Sequence, residues 1–333
     1  MNRRKLKYLH SIAFTVLILG SLFSVSCVSS KKLSSKKPNE IVLDVRSVGA
    51  KGDGTRDDTQ SFQNAIDSIA ALGGGIVFVP GGRYLIDGNV SVKLKSHVTL
   101  RFADSTAELL AKPTKSQRFY VLMVLNATDV NITGGKIIGD RKEHLDTTGE
   151  WGMGIAVYAS KNVTINGTKI YNCWGDGIVI GAKGGAPFYA PGPSINVTVK
   201  NVTSDNNRRQ AITVGKANGM LIDSCILTNT NGTKPMAGID IEPDKDTAQN
   251  ITIQNSLLAY NKGNGIEIYV NRSSVVQNVV AKNNFIHHNA YGGYLIRAKN
   301  VEFNHNRIVQ NKYMPLIKAV SLVNCTLTPN ASE

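Results

Sequence analysis

The chain has 333 residues, 42% of them apolar and 19% charged, and a formal net charge of +14. The first forty residues hold eight of the 38 basic residues and one of the 24 acidic ones, so the remainder carries 30 against 23, or +7. So mild an excess, with no helical or aromatic-rich nucleic-acid motif beside it, gives no ground for a nucleic-acid partner. It suits an acidic glycan or simply a solvated basic surface.

Arg3, Arg4, Lys5 and Lys7 precede an apolar run from Ile12 to Phe23, and Ser24-Val25-Ser26-Cys27 follows, the pattern of a secretory signal over residues 1–27. Small residues leading into a cysteine resemble the lipobox of bacterial lipoproteins, with Ser24 where Leu is usual. The resemblance implies lipidation of Cys27 and a lipid-anchored protein of the bacterial cell envelope, at the outer membrane. An ordinary cleaved signal is the alternative. A retained span is disfavoured, since about 12 apolar residues fall short of the roughly 20 that cross a bilayer. Residues 28–40, rich in Ser and Lys, form a predicted solvated linker.

Residues 41–333 contain no Pro/Ser-rich break and are expected to form one domain. Phe62, Ile66 and Ile69 share one face of a helix predicted over Thr59–Leu72, with Thr59 as N-cap and Gly73-Gly74-Gly75 as its end. Ile76-Val77-Phe78-Val79-Pro80 is the first strong strand. The opening Val45-Arg46-Ser47-Val48-Gly49-Ala50-Lys51-Gly52-Asp53-Gly54-Thr55-Arg56-Asp57-Asp58-Thr59, continued through Ala65-Ile66 and from Gly74 to Tyr84, resembles that of the pectate-lyase-like superfamily. That superfamily includes polygalacturonase-like hydrolases, polysaccharide lyases, uronan epimerases and phage tailspikes. The resemblance implies a right-handed parallel β-helix. Asp53, Asp57 and Asp58 within it read as turn and capping residues.

From Gly154 onward one phrase recurs six times, as in Gly177-Ile178-Val179-Ile180-Gly181 and Gly238-Ile239-Asp240-Ile241-Glu242. Its first apolar positions, 155, 178, 212, 239, 266 and 294, are spaced by 23, 34, 27, 27 and 28 residues, a solenoid period. A second phrase runs in phase: Val163-Thr164-Ile165, Val197-Thr198-Val199, Met220-Leu221-Ile222, Ile251-Thr252-Ile253, Val279-Val280-Ala281 and Val301-Glu302-Phe303. Two short strands per period predict an all-β, single-stranded right-handed parallel β-helix of about ten coils with the helix as its N-terminal cap. Eight residues beyond each second phrase stand Cys173, Asn207, Thr230, Asn261, Asn289 and Asn311, a column expected to form a structural amide ladder. Asn131, Asn162 and Asn196, which begin glycosylation-like sequons, are expected at turns, and Cys173, Cys225 and Cys325 as buried thiols.

Alternation turns the first and third apolar positions of each phrase inward, so the intervening residues face out. Carboxylates gather there in two successive coils. Asp240 is expected beside Glu267 at ~4.8 Å, with Glu242 ~7 Å further along its strand. Crowding of like charges holds one proton in place, which is the preparation for a proton donor beside an ionised partner. A calcium site at Asp240, Glu242 and Glu267 and a solvated acidic surface are the alternatives. Asp176 precedes an earlier strand, and Arg208-Arg209-Gln210 the intervening one. Trp151, Trp174, Tyr158 and Tyr269 offer flat faces for sugar rings, Arg297 stands outward in the last phrase, and Glu150 is a candidate subsite residue. The insertion from Ala182 to Ser194 is expected to wall the cleft.

These features predict a monomeric carbohydrate-active enzyme on a polysaccharide. A glycoside hydrolase, with Asp240, Glu242, Glu267 and Asp176 as catalytic acids and no cofactor, is the first reading. The Gly-His-Gly and Arg-Ile-Lys signatures of polygalacturonases are missing, which argues against the standard activity of that family. A lyase or C5-epimerase using Tyr269, Arg297 or Arg208, with calcium, is the second. A non-catalytic glycan-binding solenoid is the third.

Overall fold

Each coil contributes three short strands, not the two expected, and equivalent strands pair in parallel from coil to coil. The computed structural model describes residues 40–333 apart from 184–188, 272, 297, 314–315, 318–319, 324–325 and 329–333. Among the described residues the strands build two eleven-stranded sheets, here A and B, and a nine-stranded sheet C. Together they form a right-handed parallel β-helix. The strand missed in the sequence belongs to sheet B. Its members, such as Lys169–Tyr171, Ile226–Thr228 and Leu257–Ala259, are three residues long and turn one central side chain inward, with Thr228 and Ala259 also buried at the strand ends. A segment with one inward residue has no alternation to detect.

The second phrase pairs as expected along sheet A, Val163 with Val197, then Met220, Ile251, Val279 and Val301. In sheet C the column Ile155, Ile178, Ile212, Ile239 and Ile266 is in register and wholly buried. The last of the six phrases departs from the expectation. Gly293, not Tyr294, pairs with Ile266, so the spacing is 27 residues and Tyr294 stands in register with Glu267. Leu295, expected outward, shares the register of inward Ile268. An inward glycine carries no apolar signal, which displaced the sequence alignment by one residue.

The helix spans Thr59–Ala71 and buries Phe62, Ala65, Ile66 and Ile69 against the first strands of sheets A and C. Thr59 is its first residue rather than its cap. Asp58 occupies the N-cap position, but its carboxylate turns away to accept from the Lys51 and Gly52 amides at 2.7 and 2.9 Å. Asp57 instead accepts from the Thr59 amide at 3.0 Å. These aspartates are turn and capping residues, as expected.

Turns carry the rest of the order. Among the described residues Asn162, Asn196 and twelve further asparagines and aspartates adopt positive φ, the region these residues enter most easily. Asn131, Asn162 and Asn196 lie within the strands Thr128–Thr133, Lys161–Asn166 and Ser194–Lys200 rather than at turns, and Asn196 Nδ2 donates to Asn162 Oδ1 in the neighbouring coil. The buried amide ladder is present. Asn289 Oδ1 accepts from the Asn261 amide and side chain at 3.1 and 2.9 Å, and Asn311 Oδ1 does the same for Asn289 at 2.9 and 3.1 Å. Cys173 and Cys225 are buried free thiols, and burial pushes Cys225 up to about 11. Cys27 and Cys325 lie outside the described residues.

Replacing Asn289 by Ala leaves the Asn261 amide and the Leu258 carbonyl without partners in a buried turn. The expected loss is about 2–3 kcal/mol, read as a lower urea midpoint. An unchanged midpoint contradicts a structural ladder.

Candidate active site

On sheet C the strands Ile178–Gly181, Ile212–Val214, Ile239–Ile241 and Asn264–Tyr269 lie side by side. Their outward column runs Val179, Thr213, Asp240, Glu267. Two residues before each inward isoleucine stands a second column, Asp176, Gln210, Ala237 and Asn264, joined through backbone bonds such as Gly177 N to Gln210 O at 3.0 Å. Its polar members reach the outward column. Thr213 Oγ1 donates to Asp176 at 2.7 Å, Gln210 Nε2 to Asp240 at 2.6 Å, and Asn264 Nδ2 to Glu267 at 2.8 Å. Gly177 permits this close approach, because a Cβ there would meet Ala211 O at 2.8 Å and collide with the Ser204 hydroxyl.

Arg209 is the cation at the centre of these acids. Its Nη1 lies 3.2 Å from Asp176 Oδ2, and its Nε 3.6 Å from Glu150 Oε2. Asp176 is wholly buried, and burial raises its pKa while Arg209 and Thr213 pull it back. Asp240 is 1% exposed. Burial raises it well above the ordinary carboxylate range, and Glu267 and Glu242 push it further. Burial raises Glu242 and Glu267 too, though both are half-buried and face the groove side. Asp240 is therefore the group that keeps its proton longest, beneath neighbours that ionise earlier.

The open groove over this face has a volume of about 320 Å³ and is lined by Asp176, Arg209, Thr213 and Glu242, with Arg118, Lys183 and Lys216 toward the N-terminal coils. Described parts of the insertion wall it, as expected. Lys183 and Ala190 bridge each other, Ala190 is buried against Tyr120, Met153 and Tyr158, and Pro191 O accepts from Lys216 Nζ at 2.8 Å. Trp151 is half-buried under the Arg118 guanidinium at the groove edge. Tyr269 is 38% exposed, and Arg297 lies outside the described residues.

Four expected sugar contacts take structural roles instead, although Tyr158 also borders the groove. Trp174 is 8% exposed and sandwiched, with the His144 ring 4.0 Å from one face and the Arg208 guanidinium 3.8 Å from its ring centre. Arg208 is thereby spent on Trp174 and on Gly149 O, to which it donates at 2.8 Å. Tyr158 is 5% exposed and packs edge-on against Tyr120, so neither face is open, and burial holds its phenol well above the usual range. Gln210 is wholly buried and orients Asp240 rather than meeting a substrate. Asp240 and Asp176 also depart from the expectation of exposed carboxylates, because the side chains of adjacent columns close over them.

Several groove residues were missed. Asn264 had a signal, since it occupies the position of Asp176 and Gln210 relative to its isoleucine. Arg118 and Tyr120 had none, as the Arg118–Leu125 strand precedes the first recognised phrase. Among the described residues no three acidic, histidine or cysteine side chains are grouped tightly enough to hold a metal ion.

The family described as right handed beta helix region matches residues 64–243 and 154–331. The chain is 26% identical over 243 residues to the uncharacterized protein YclG of Bacillus subtilis, covering 65% of this chain and 41% of YclG. It is 31% identical over 258 residues to the plasmin and fibronectin-binding protein A of Streptococcus pneumoniae, covering 69% of this chain and 32% of that protein. The chain thus spans about a third to two fifths of the length of the curated relatives it matches. Among solved structures, the exopolygalacturonase of Thermotoga maritima superposes with a TM-score of 0.56 at 18% identity, over 86% of this chain and 81% of that one.

Asp240 generates a stability prediction. Its folded pKa lies above its unfolded value, so the folded state keeps a proton that the unfolded chain releases near pH 4. Its contribution is favourable at low pH and lost as pH rises through the folded value. Asp240→Asn removes that penalty. The variant is expected to be more stable than wild type at pH 8, with the difference shrinking toward pH 4, in urea titrations at a series of pH values. A variant less stable at pH 8 contradicts the assignment.

Proposed function

This chain belongs to the right-handed β-helix family, and from that premise we propose that it is a polysaccharide-acting enzyme, a glycoside hydrolase working in the groove of sheet C. The observation that carries the reading is Asp240, buried and proton-retaining, beside the groove-lining carboxylates Glu242 and Asp176. In the proposed reaction Asp240 gives its proton to the glycosidic oxygen as the bond to the anomeric carbon breaks. An ionised carboxylate, Asp176 on Arg209 or Glu242, takes a proton from the water that attacks that carbon. Asp240 meets the substrate oxygen only when the half-buried Glu267 side chain turns aside. Glu150 positions Arg209, while Trp151 and Tyr269 offer ring faces at the groove margins. The likeness in fold to an exopolygalacturonase supports a glycan substrate. Lipidation of Cys27 would hold the domain at the bacterial outer membrane through the 28–40 linker.

A second reading has one supporting observation. Arg118, Lys183, Arg209 and Lys216 all line the groove, a surface suited to uronate carboxylates. A lyase or C5-epimerase would use such cations, with calcium at the acids, to stabilise charge after proton removal at C5.

Asp240→Asn and Glu242→Gln are each expected to lower turnover by roughly two or more orders of magnitude on a glycan that the wild type cleaves. The measurement is product release from a panel of acidic and neutral polysaccharides. Full activity in both variants rules out the acid-pair hydrolase. Absorbance from unsaturated product, abolished by a chelator, selects the lyase, and binding without turnover selects the non-catalytic glycan-binding solenoid. Cys27→Ala is expected to move the protein from the membrane to the soluble fraction, and an unchanged membrane fraction contradicts anchoring.

A further inference from the structure

The turns joining sheet B to sheet C stack a left-handed residue in each coil. Asn172, Asn206, Asn229, Tyr260, His288 and Gln310 form this column, each with φ between 53° and 59°. Asparagine tolerates that conformation, whereas a side chain such as tyrosine is disfavoured there. Tyr260 nevertheless occupies it and is 52% exposed, so burial gives little return for the strain. Its ring lies against His288 at 4.9 Å and edge-on to His287 at 5.3 Å.

Around it lies a second groove of about 530 Å³, lined by Asn229, Asn231, Tyr260, Lys262, His288 and Tyr313 among others, and sharing no lining residue with the first. Tyr313 is 46% exposed. Lys262 stands two residues before Asn264, so this surface borders the acid cluster on its C-terminal side. An aromatic face for the C–H side of a pyranose, rimmed by the Lys262 ammonium and by the Asn229 amide, which keeps one N–H beyond its bond to Asp205 Oδ1, is the chemistry of sugar recognition.

We infer that this groove binds an oligosaccharide, with a pyranose ring on Tyr260 and another against Tyr313, as an accessory glycan site separate from the catalytic groove. The site does not depend on the hydrolase reading. It holds a chain whether or not the neighbouring acids cleave it.

The test is calorimetric titration of the full protein with three probes, hexagalacturonate, hexamannuronate and cellohexaose. Wild type is compared with Tyr260→Asn, Tyr313→Ala and Glu242→Gln. Tyr260→Asn and Tyr313→Ala are each expected to weaken at least one probe roughly tenfold, the scale of one lost aromatic contact. Glu242→Gln is expected to leave that binding in place. Because asparagine suits the backbone at 260, Tyr260→Asn is expected to melt no lower than wild type. A Tm drop with unchanged affinity makes the aromatic column purely structural and overturns the inference. So does the lack of binding to all three probes at millimolar concentration. Binding lost in Glu242→Gln but kept in Tyr260→Asn places the glycan in the sheet C groove alone, which overturns this inference and leaves the proposed function standing. Binding lost in Tyr260→Asn, with no turnover of any glycan, supports the accessory site and overturns the hydrolase.

Discussion

Parallel pairing between successive coils is the constraint on which the rest depends. Once Ile155, Ile178, Ile212, Ile239 and Ile266 are locked in one buried column, every other position repeats as a column at the inter-strand spacing. Residues about 27 apart in sequence become neighbours. A slip of one residue would carry each inward side chain to the surface and scatter the acids. The asparagine ladder resists such a slip from the turns, because each amide bonds its counterparts in the coils on either side.

Charge is concentrated against this rigid lattice. Asp176, Asp240, Glu242, Glu267 and Glu150 surround Arg209, while the adjacent Arg208 points into a stack with Trp174, His144 and Phe119. Two consecutive arginines thus serve different ends. Arg208 fastens the 139–151 loop by donating to Gly149 O, and Arg141 ties the same loop to Asn206 and Asn231. That fastening sets Glu150 within reach of Arg209. One cation among five acids in a largely buried setting leaves a carboxyl protonated, and Asp240, pushed up by burial and by Glu267 and Glu242, is the one that stays so.

Outside the groove the molecule departs from its own turn pattern at Tyr260. A column that begins with three asparagines carries an exposed aromatic ring there, followed by His288 and Gln310, and a second aromatic groove opens around it. Local strain without a packing return marks a surface shaped by something other than folding stability.

The sequence by itself determined the β-helix, the capping helix, the register of sheet A, and the gathering of Asp240, Glu242 and Glu267 on one face. Each follows from periodicity, and periodicity is a local property that survives in a single chain. Tertiary structure alone decided how deep each outward residue sits. Asp240 and Tyr269 both stand at outward positions of their strands, yet one is buried and the other open, because burial depends on the side chains of adjacent coils and on the insertion that folds back over them. The same cause took Trp174 and Arg208 out of the groove lining, left Tyr158 there with little exposed surface, and added Thr213 and Arg118. It also fixed the register of the last recognised phrase, where Gly293, paired with inward Ile266, carries no side chain from which that register might be inferred.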